Sequence, residues 1–394
     1  MRGNYLLLST LVTVIGCATQ PQHVIPDLPF PPTTTWRVPP SPSTDAAAKE
    51  HPVAGPLATD GETVFYATDT GIVRALELSS GETRWDVTLA PGTLSSANGA
   101  VFLRHAEGGV DALDAKTGQL LWQSHAGSPG ELPATPDGER LAVLGRTAVL
   151  LNARSGERLW ATRGLGTFST APLFASGRLV AGTREGAIHC LDLATGRPLW
   201  KYQTSAPLLA KPIADERGRV FLGTGDGRVL ALSLRSGKRL WEWRTGVATD
   251  FEAVCYKDLV LFASNDAILL GLNRRSGHLA WRATLPSRPM ATPLIRGDVL
   301  IAVCYGSRDS RTTLMAVDLV TVRRIGNAFE TQGEAQTAPL LLDNRLVFAF
   351  RDRTVAVLAL AKVDEALGKG FARRRRLRDL GVDATPTPTP KPGL

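Results

Sequence analysis

Residues 190–200 read CLDLATGRPLW, and this stretch decides the fold. Alternating apolar residues lead into Thr195-Gly196, which is typical of a half-buried strand that ends in a turn. Glycine tolerates the positive φ that a short hairpin needs, and Asp192, four residues earlier, can accept hydrogen bonds from the turn backbone. The second strand ends in Trp200, and we expect this side chain to pack between neighbouring units.

The same unit occurs six times along the chain. The copies are ALELSSGETRW (75–85), ALDAKTGQLLW (112–122), LLNARSGERLW (150–160), CLDLATGRPLW (190–200), ALSLRSGKRLW (231–241) and GLNRRSGHLAW (271–281). Each ends in a tryptophan that we interpret as a blade-docking residue, namely Trp85, Trp122, Trp160, Trp200, Trp241 and Trp281. The polar residues four positions before the turn glycines, interpreted as turn caps, are Glu77, Asp114, Asn152, Asp192, Ser233 and Asn273.

A seventh unit, AVDLVTVRRIG (316–326), is degenerate. Val322 stands at the position of the turn glycine, and Gly326 is aligned with the tryptophan. Successive units end 37, 38, 40, 41, 40 and 45 residues apart, which is in the range of one four-stranded propeller blade. No helical pattern separates the strands, so the spacing argues against a doubly wound α/β fold.

The end of the repeat region predicts how the ring closes. Residues 336–360 contain three further strands without a fourth, whereas TTTWRVPP (33–40) places Trp36 in a fourth-strand setting with no preceding strands. Pairing of these two segments would cover an exposed sheet edge. We therefore predict an all-β fold, an eight-bladed β-propeller of four-stranded antiparallel blades over residues 33–361, closed by an N-terminal strand. A seven-bladed ring or an unclosed eighth blade is the alternative.

The N-terminus has the features of a lipoprotein signal. One cation, Arg2, precedes an apolar stretch over residues 5–15 that is too short to span a bilayer as a helix but suits a secretory signal. The sequence VIGC (14–17) resembles the bacterial lipobox, which makes residues 1–16 a signal peptide and Cys17 the lipidation site; an ordinary signal peptide is the alternative. Ala18 favours the outer membrane, and residues 17–32 read as a flexible tether.

The C-terminal segment, residues 362–394, is a separate element. It reads as a short basic helix with Arg373–Arg376 and Arg378, followed by a Pro/Thr-rich tail. Such a segment could contact acidic lipid headgroups, but it is more often a solvated tail.

Composition excludes several classes of function. The chain has 394 residues, is 43% apolar and carries a net charge of +8, a mild excess that gives little support to polyanion binding. Its cysteines and six histidines share no spacing that would form a metal site, a haem site or a catalytic triad, so we predict no catalytic, cofactor-binding or metal-binding residues. Cys190, Cys255 and Cys304 lie in different blades and are predicted to be buried thiols, although one disulfide is conceivable.

The repeat resembles that of the quinoprotein (PQQ-type) propellers. Together with the lipobox and eight units, residues 33–361 most resemble the BamB family, lipoproteins of the outer-membrane β-barrel assembly machinery. This resemblance implies no cofactor and a monomeric propeller within a complex, held to the outer membrane by its N-terminal lipid and facing the periplasm. It implies a non-enzymatic scaffold for assembly of β-barrel outer-membrane proteins, with a protein partner and no nucleic acid.

The predicted partner contacts depart from the family pattern. The family uses a Leu-x-Leu-Arg loop before the fourth blade and acidic residues before the fifth, whereas here the loops read RGLGTFSTAP (163–172) and SAPLLAKP (205–212). The candidate partner-binding residues are Arg163, Leu165, Phe168, Leu208 and Lys211. A different partner in the envelope is therefore one alternative. A PQQ-binding quinoprotein is another, although blades of about 40 residues leave little room for the long loops that such an enzyme needs.

Overall fold

The computed structural model describes residues 32–38, 53, 55–125, 127–306 and 311–360. These residues form strands and turns, and none of them is in a helix. No described segment is therefore an apolar helix of membrane-spanning length. The predicted signal peptide, Cys17, most of the tether and the basic C-terminal segment lie outside the described residues.

Thirty-two strands form eight four-stranded antiparallel sheets, which confirms the predicted eight-bladed propeller. Blade 1 comprises β2 (Ala58–Thr59), β3 (Thr63–Ala67), β4 (Ile72–Glu77) and β5 (Thr83–Thr88), and blade 2 comprises β6 (Gly92–Ala97), β7 (Ala100–His105), β8 (Val110–Asp114) and β9 (Leu120–Ser124). Blade 3 comprises β10 (Thr135–Asp137), β11 (Arg140–Leu144), β12 (Ala148–Asn152) and β13 (Arg158–Thr162). Blade 4 comprises β14 (Leu173–Ala175), β15 (Arg178–Gly182), β16 (Ala187–Asp192) and β17 (Pro198–Gln203).

The remaining blades follow the same order. Blade 5 comprises β18 (Ile213–Ala214), β19 (Arg219–Gly223), β20 (Arg228–Ser233) and β21 (Arg239–Arg244). Blade 6 comprises β22 (Val254–Tyr256), β23 (Leu259–Ser264), β24 (Ile268–Asn273) and β25 (Leu279–Thr284). Blade 7 comprises β26 (Leu294–Arg296), β27 (Val299–Tyr305), β28 (Thr312–Asp318) and β29 (Arg323–Glu330), and blade 8 comprises β30 (Leu340–Leu342), β31 (Arg345–Ala349), β32 (Val355–Ala359) and β1 (Thr33–Val38).

The ring closes through β1, as predicted. It pairs antiparallel with β32, with Thr33 opposite Ala359 and Val38 opposite Val355. Arg37 of β1 also forms an ion pair with Asp352 and lies 5.5 Å over the ring of Phe350, both in blade 8. The first and last parts of the propeller are thus held in one sheet, and the edge of β32 is covered.

The core lies between the blades. The second and third strands of every blade are almost continuously apolar and buried, because both of their faces are covered by neighbouring blades. The outer, fourth strands alternate between half-buried and exposed residues, as in β17 and β25. Each blade thus contributes half of two separate apolar layers, which makes the ring continuous.

A tryptophan of one blade contacts the turn glycine of the next. The indole Nε1 of Trp160 donates a hydrogen bond to the carbonyl of Leu193, at 3.0 Å, and the ring covers Gly196. The equivalent hydrogen bonds are Trp36 to Leu78, Trp85 to Ala115, Trp122 to Ala153, Trp200 to Leu234 and Trp241 to Arg274. Trp36 makes this contact across the closure, so the N-terminal strand supplies the eighth tryptophan position.

The interface between blades 6 and 7 breaks this pattern. The buried Nε1 of Trp281 has no hydrogen-bond partner among the described residues, and its ring lies against Gly271 of its own blade. The next blade has Val322 at the glycine position, with a φ of 55°. A side chain there removes the flat surface that the indole covers elsewhere, so Trp281 packs differently.

The structure corrects the alignment of the seventh unit. Ala316 pairs with Ile325, as Ala231 pairs with Trp241 in blade 5. Ile325 is buried and Gly326 is exposed, so Ile325 and not Gly326 occupies the tryptophan position. In the intact units a bulge directly after the turn moves the tryptophan one residue further along the fourth strand. In blade 7 the bulge lies at Leu314/Ala316 instead, so the equivalent position falls one residue earlier, at Ile325.

Most of the predicted turn caps are present. Asp114, Asn152, Asp192 and Asn273 each accept hydrogen bonds from turn backbone amides, and so does Asp318 in the degenerate unit. Glu77 differs, since its longer side chain accepts a hydrogen bond from the Ser79 hydroxyl and pairs with Arg84. No side-chain cap is present at Ser233 among the described contacts.

The two faces of the ring carry different connections. The turns between first and second strands and between third and fourth strands lie together on one face, where the amide of Leu193 bonds to the carbonyl of Gly177. We call this the turn face. The loops between blades lie on the opposite face beside the turns between second and third strands, as shown by the bridge between Phe168 and Thr183. We call this the loop face.

Candidate protein-docking site

Three inter-blade loops form a continuous ledge on the loop face. They are residues 163–172 before blade 4, residues 204–212 before blade 5 and residues 245–253 before blade 6. We call these three segments the loop ledge. It contains all five residues that were predicted from the sequence to bind a partner.

The first loop is anchored by burial. The ring of Phe168 is buried and meets the His189 ring edge-on at 6.1 Å, and Leu165 is half-buried against the same core. The hydroxyl of Ser169 donates a hydrogen bond to the carbonyl of Leu208, which joins the first loop to the second. Arg163 is exposed at the start of the loop.

The second loop presents an apolar side chain to solvent. Leu208 is buried in the core between blades 4 and 5, and the backbone carbonyl of Pro207 accepts a hydrogen bond from Gly225. The next residue, Leu209, is therefore directed outward and is 52% exposed. The hydrogen-bonded backbone of this loop thus presents about half of a leucine side chain to solvent.

The third loop adds negative charge to the ledge. Glu252 lies 3.7 Å from Lys211 of the second loop, and its amide bonds to the Thr292 hydroxyl. Asp250 accepts a hydrogen bond from Asn265 at 2.6 Å. Val247 is exposed in the same loop. The ledge thus combines exposed apolar side chains with an ion pair that bridges two loops.

This geometry revises the set of contact residues. Phe168 and Leu208 fill the core, so their side chains position the loops and are not available to a partner. Arg163 is exposed, Leu165 is half-buried and Lys211 is paired with Glu252. Leu209 was not predicted from the sequence, although the apolar pair in a short loop was a usable sign, because adjacent side chains of an extended segment point to opposite sides.

An open cleft of about 330 Å³ lies beside the ledge, between blades 4 and 5. Asp226 stands at its edge, and hydrogen bonds from the Ser205 and Thr224 hydroxyls lower the pKa of its carboxyl. Arg228 pairs with both Asp226 and Glu242, at 3.3 and 3.4 Å. The acidic and basic groups of this cleft compensate one another, so it offers no net charge for a free ion.

Burial favours the neutral form of one histidine and two thiols inside the blades. Burial lowers the pKa of His189, assisted by the charge of Lys201. Burial raises the pKa of the Cys190 and Cys304 thiols to about 12 in each case. Cys190, Cys255 and Cys304 are free thiols; the first and third are buried as predicted, and Cys255 is half-buried.

Side chains of the types that bind metal ions are scattered over the described part of the chain. No three His, Cys, Asp or Glu side chains there converge on a site that could hold a metal ion. The closest pairing of this type, His105 with Asp111 at 2.9 Å, is completed by Gln123, which donates to the same carboxylate.

Sequence and structure comparisons identify related proteins. The sequence profile of the family described as outer membrane protein assembly factor BamB matches residues 32–151 and 145–364. The assembly factor BamB of Burkholderia pseudomallei is 31% identical over 108 residues, which cover 27% of this chain and 28% of that protein. The match therefore spans less than a third of the length of this relative.

Solved structures show the same ring. The crystal structure of BamB from Moraxella catarrhalis has a TM-score of 0.66 at 18% identity, covering 83% of this chain and 99% of that one. Quinohemoprotein alcohol dehydrogenase from Comamonas testosteroni has a TM-score of 0.63 at 14% identity, covering 85% and 77%. At these identities the likeness shows the fold alone, which is shared by an assembly factor and by an enzyme.

Proposed function

The chain belongs to the family of the outer membrane protein assembly factor BamB, and from this premise we propose that it is a non-enzymatic scaffold for assembly of β-barrel outer-membrane proteins. In this proposal the protein is held to the outer membrane through Cys17 and faces the periplasm. Its loop ledge binds a protein component of the assembly machinery. The single observation that carries the docking site is the exposed Leu209 on the ledge.

The ledge has the composition of a protein interface. Leu209 and Val247 are apolar and exposed, and the Lys211–Glu252 ion pair lies between the loops that carry them. Interfaces commonly surround an apolar centre with polar groups that exclude water. Because the loop backbones are fixed by hydrogen bonds to the blades, little conformational entropy is lost on binding.

A non-enzymatic role is supported by the lengths of the loops. The connection between blades 1 and 2 has only three residues, 89–91, and the three ledge segments have nine or ten each. The dehydrogenases that share this repeat need long loops over the ring axis to enclose their quinone and calcium. Together with the lack of a converging acidic cluster among the described residues, these short loops favour a scaffold.

Affinity purification after crosslinking in the native envelope tests the proposal. We expect the wild-type chain to recover barrel-assembly proteins, and Leu209→Glu to reduce that recovery at least about tenfold, because a charge would be buried at the interface. Leu159→Glu is the matched control, since Leu159 is 49% exposed on the opposite face, and it should behave as wild type.

Two other results would contradict the proposal. If the wild-type chain recovered an unrelated envelope protein and no barrel-assembly proteins, the partner would be a different protein from the one proposed. Equal recovery by Leu209→Glu and wild type would show that docking does not use the loop ledge.

A further inference from the structure

We propose that the turn face of blades 4–7 rests on an anionic phospholipid surface. The relevant segments are the turns between the third and fourth strands with the first residues that follow, namely 192–199, 233–240, 273–280 and 318–325. We call these four segments the basic arc. The inference concerns the face opposite to the loop ledge and does not depend on which partner the ledge binds.

The charge of the basic arc is one-sided. Its cations are Arg197, Arg235, Lys238, Arg239, Arg274, Arg275, Arg323 and Arg324, against the two acids Asp192 and Asp318. Both acids accept hydrogen bonds from their own turn backbones. The equivalent segment of blade 1, residues 77–84, has one cation and two acids, so the arc is a local feature and not a property of every blade.

Most of these cations are not neutralised. Arg239 pairs with Glu242, and Arg274 pairs with Glu216. The other six are exposed and form no ion pair with another described residue. The loops that follow the same four blades on the opposite face, residues 204–212, 245–253, 285–293 and 331–339, have two cations and three acids. Among the connections compared, the excess of positive charge therefore lies on the turn face.

Exposed apolar side chains accompany the cations. Leu199, Leu240, Leu279 and Val320 supply one such side chain in each of the four blades, with exposures of 47, 49, 38 and 46%. Single exposed leucines are common, but seven of the ten large apolar side chains exposed in the described part lie in turns or outer strands of this type, four of them in the basic arc. Alternating cations and apolar groups suit a bilayer interface, whereas a soluble polyanion would need the cations alone.

The ends of the described propeller lie on the same face. Thr33 pairs with Ala359 at the end of β32 farthest from the loop face. The amide of Leu360 bonds to Asn344, which lies in a turn of the turn face. Residues 17–32, which lead from the predicted lipid site, and residues 361–394, which include Arg373–Arg376, therefore both join the ring on this side.

A lipid at Cys17 would place the turn face near the bilayer. Fifteen residues between Cys17 and β1 reach at most about 50 Å when fully extended, and a flexible chain of this length spans about 20 Å on average. The anchor alone leaves the orientation of the ring free. Cations near an anionic surface strengthen binding to it, so the basic arc can select the orientation in which the loop ledge faces away from the membrane.

Vesicle flotation tests the inference without the anchor. The chain from residue 17 onward, carrying Cys17→Ser to prevent acylation, is mixed with vesicles of phosphatidylcholine alone or with about one third phosphatidylglycerol. We expect binding to the anionic vesicles only, and weaker binding at high salt because the charges are exposed. Equal binding to both vesicle types would overturn the proposal.

Three variants separate the possible sources of binding. The triple substitution Arg235→Gln, Lys238→Gln and Arg275→Gln should reduce partitioning about tenfold or more. The matched control, Arg146→Gln, Arg163→Gln and Arg288→Gln on the loop face, should reduce it less than about twofold. Because all six side chains are exposed, neither set should impair folding, which an unchanged thermal melt would verify.

The apolar part of the proposal has its own variant. Leu199→Ser with Leu240→Ser should lower partitioning several-fold on the anionic vesicles. If the charge variant loses binding but this one does not, the arc binds polyanions and the bilayer proposal fails. If neither differs from wild type, the basic C-terminal segment is responsible and the arc is not the membrane surface.

Discussion

Gly196 of blade 4 lies directly under the indole of Trp160 of blade 3: a Cβ on this glycine would come within 2.6 Å of Trp160 Cδ2. The same contact occurs between Trp36 and Gly81, Trp85 and Gly118, Trp122 and Gly156, Trp200 and Gly237, and Trp241 and Gly277. The glycine and the tryptophan of one unit therefore belong to two different interfaces. This explains why the unit must be repeated to be useful.

Replacing Gly196 should lower the free energy of unfolding by more than the positive φ of this residue alone explains. Gly196→Ala combines a positive φ of 72° with a clash against Trp160, and we expect a loss of about 3 kcal/mol in the free energy of unfolding. Gly177→Ala is the control, since Gly177 has a φ of 69° but open space at its Cβ; it should cost about 1 kcal/mol. Denaturant unfolding that gave equal losses would reject the packing argument.

Restoring the missing glycine of blade 7 should stabilise the protein. Val322 is β-branched and has a φ of 55°, which is strained for this residue type. We expect Val322→Gly to raise the free energy of unfolding by about 1 kcal/mol. Thr321→Gly, next to it but not at positive φ, should lower it because glycine gains freedom in the unfolded chain. A loss of stability with Val322→Gly would contradict the claim that Val322 is strained at its positive φ.

The packing of Trp281 should depend on both of its neighbours. Gly271→Ala would place a Cβ 2.5 Å from the Trp281 ring, and we expect a loss of about 2 kcal/mol. In the Val322→Gly background the indole can move onto the next blade, so the same substitution should cost less. A double-mutant cycle should give a coupling of about 1 kcal/mol, and additive effects would rule out the proposed relation.

Ring closure should depend on the N-terminal strand. Trp36 is partly buried, donates to the carbonyl of Leu78 at 2.9 Å and covers Gly81. Trp36→Ala should lower the melting temperature of the whole propeller in one transition, at a cost of about 3 kcal/mol. Thr34→Ala, an exposed neighbour in the same strand, should melt like wild type. A normal melt for Trp36→Ala would show that β1 is dispensable.

Acid should destabilise the ledge through His189. Burial lowers the pKa of this imidazole from its ordinary value of about 6.5, so the unfolded chain binds the proton more readily than the folded one. The neutral, buried His189 side chain therefore contributes fully to the free energy of unfolding above pH 6.5. This contribution is lost as the pH falls below 6.5. His189→Gln should therefore lose less stability than wild type between pH 7.5 and 5 in denaturant unfolding. The exposed His278→Gln should retain the wild-type pH dependence; identical slopes for both variants would refute the role of His189.

The sequence by itself determined the repeat, and it favoured eight blades closed by the N-terminal strand over seven blades or an unclosed eighth. Six copies of a strand, a turn glycine and a tryptophan at a spacing of about 40 residues leave little choice of fold, because each residue type in the unit has one local physical role. The unpaired TTTWRV segment at one end and the missing fourth strand at the other fitted the same pattern.

Only the tertiary structure decided which residues of the loops are available to a partner. Phe168, Leu208 and Leu209 are all apolar residues in loops, yet two are buried and one is exposed, because exposure depends on the blades packed behind each loop. The shift from Gly326 to Ile325 depended in the same way on where a bulge falls. The basic arc was also out of reach, since residues about 40 positions apart meet on one face only when the ring is closed.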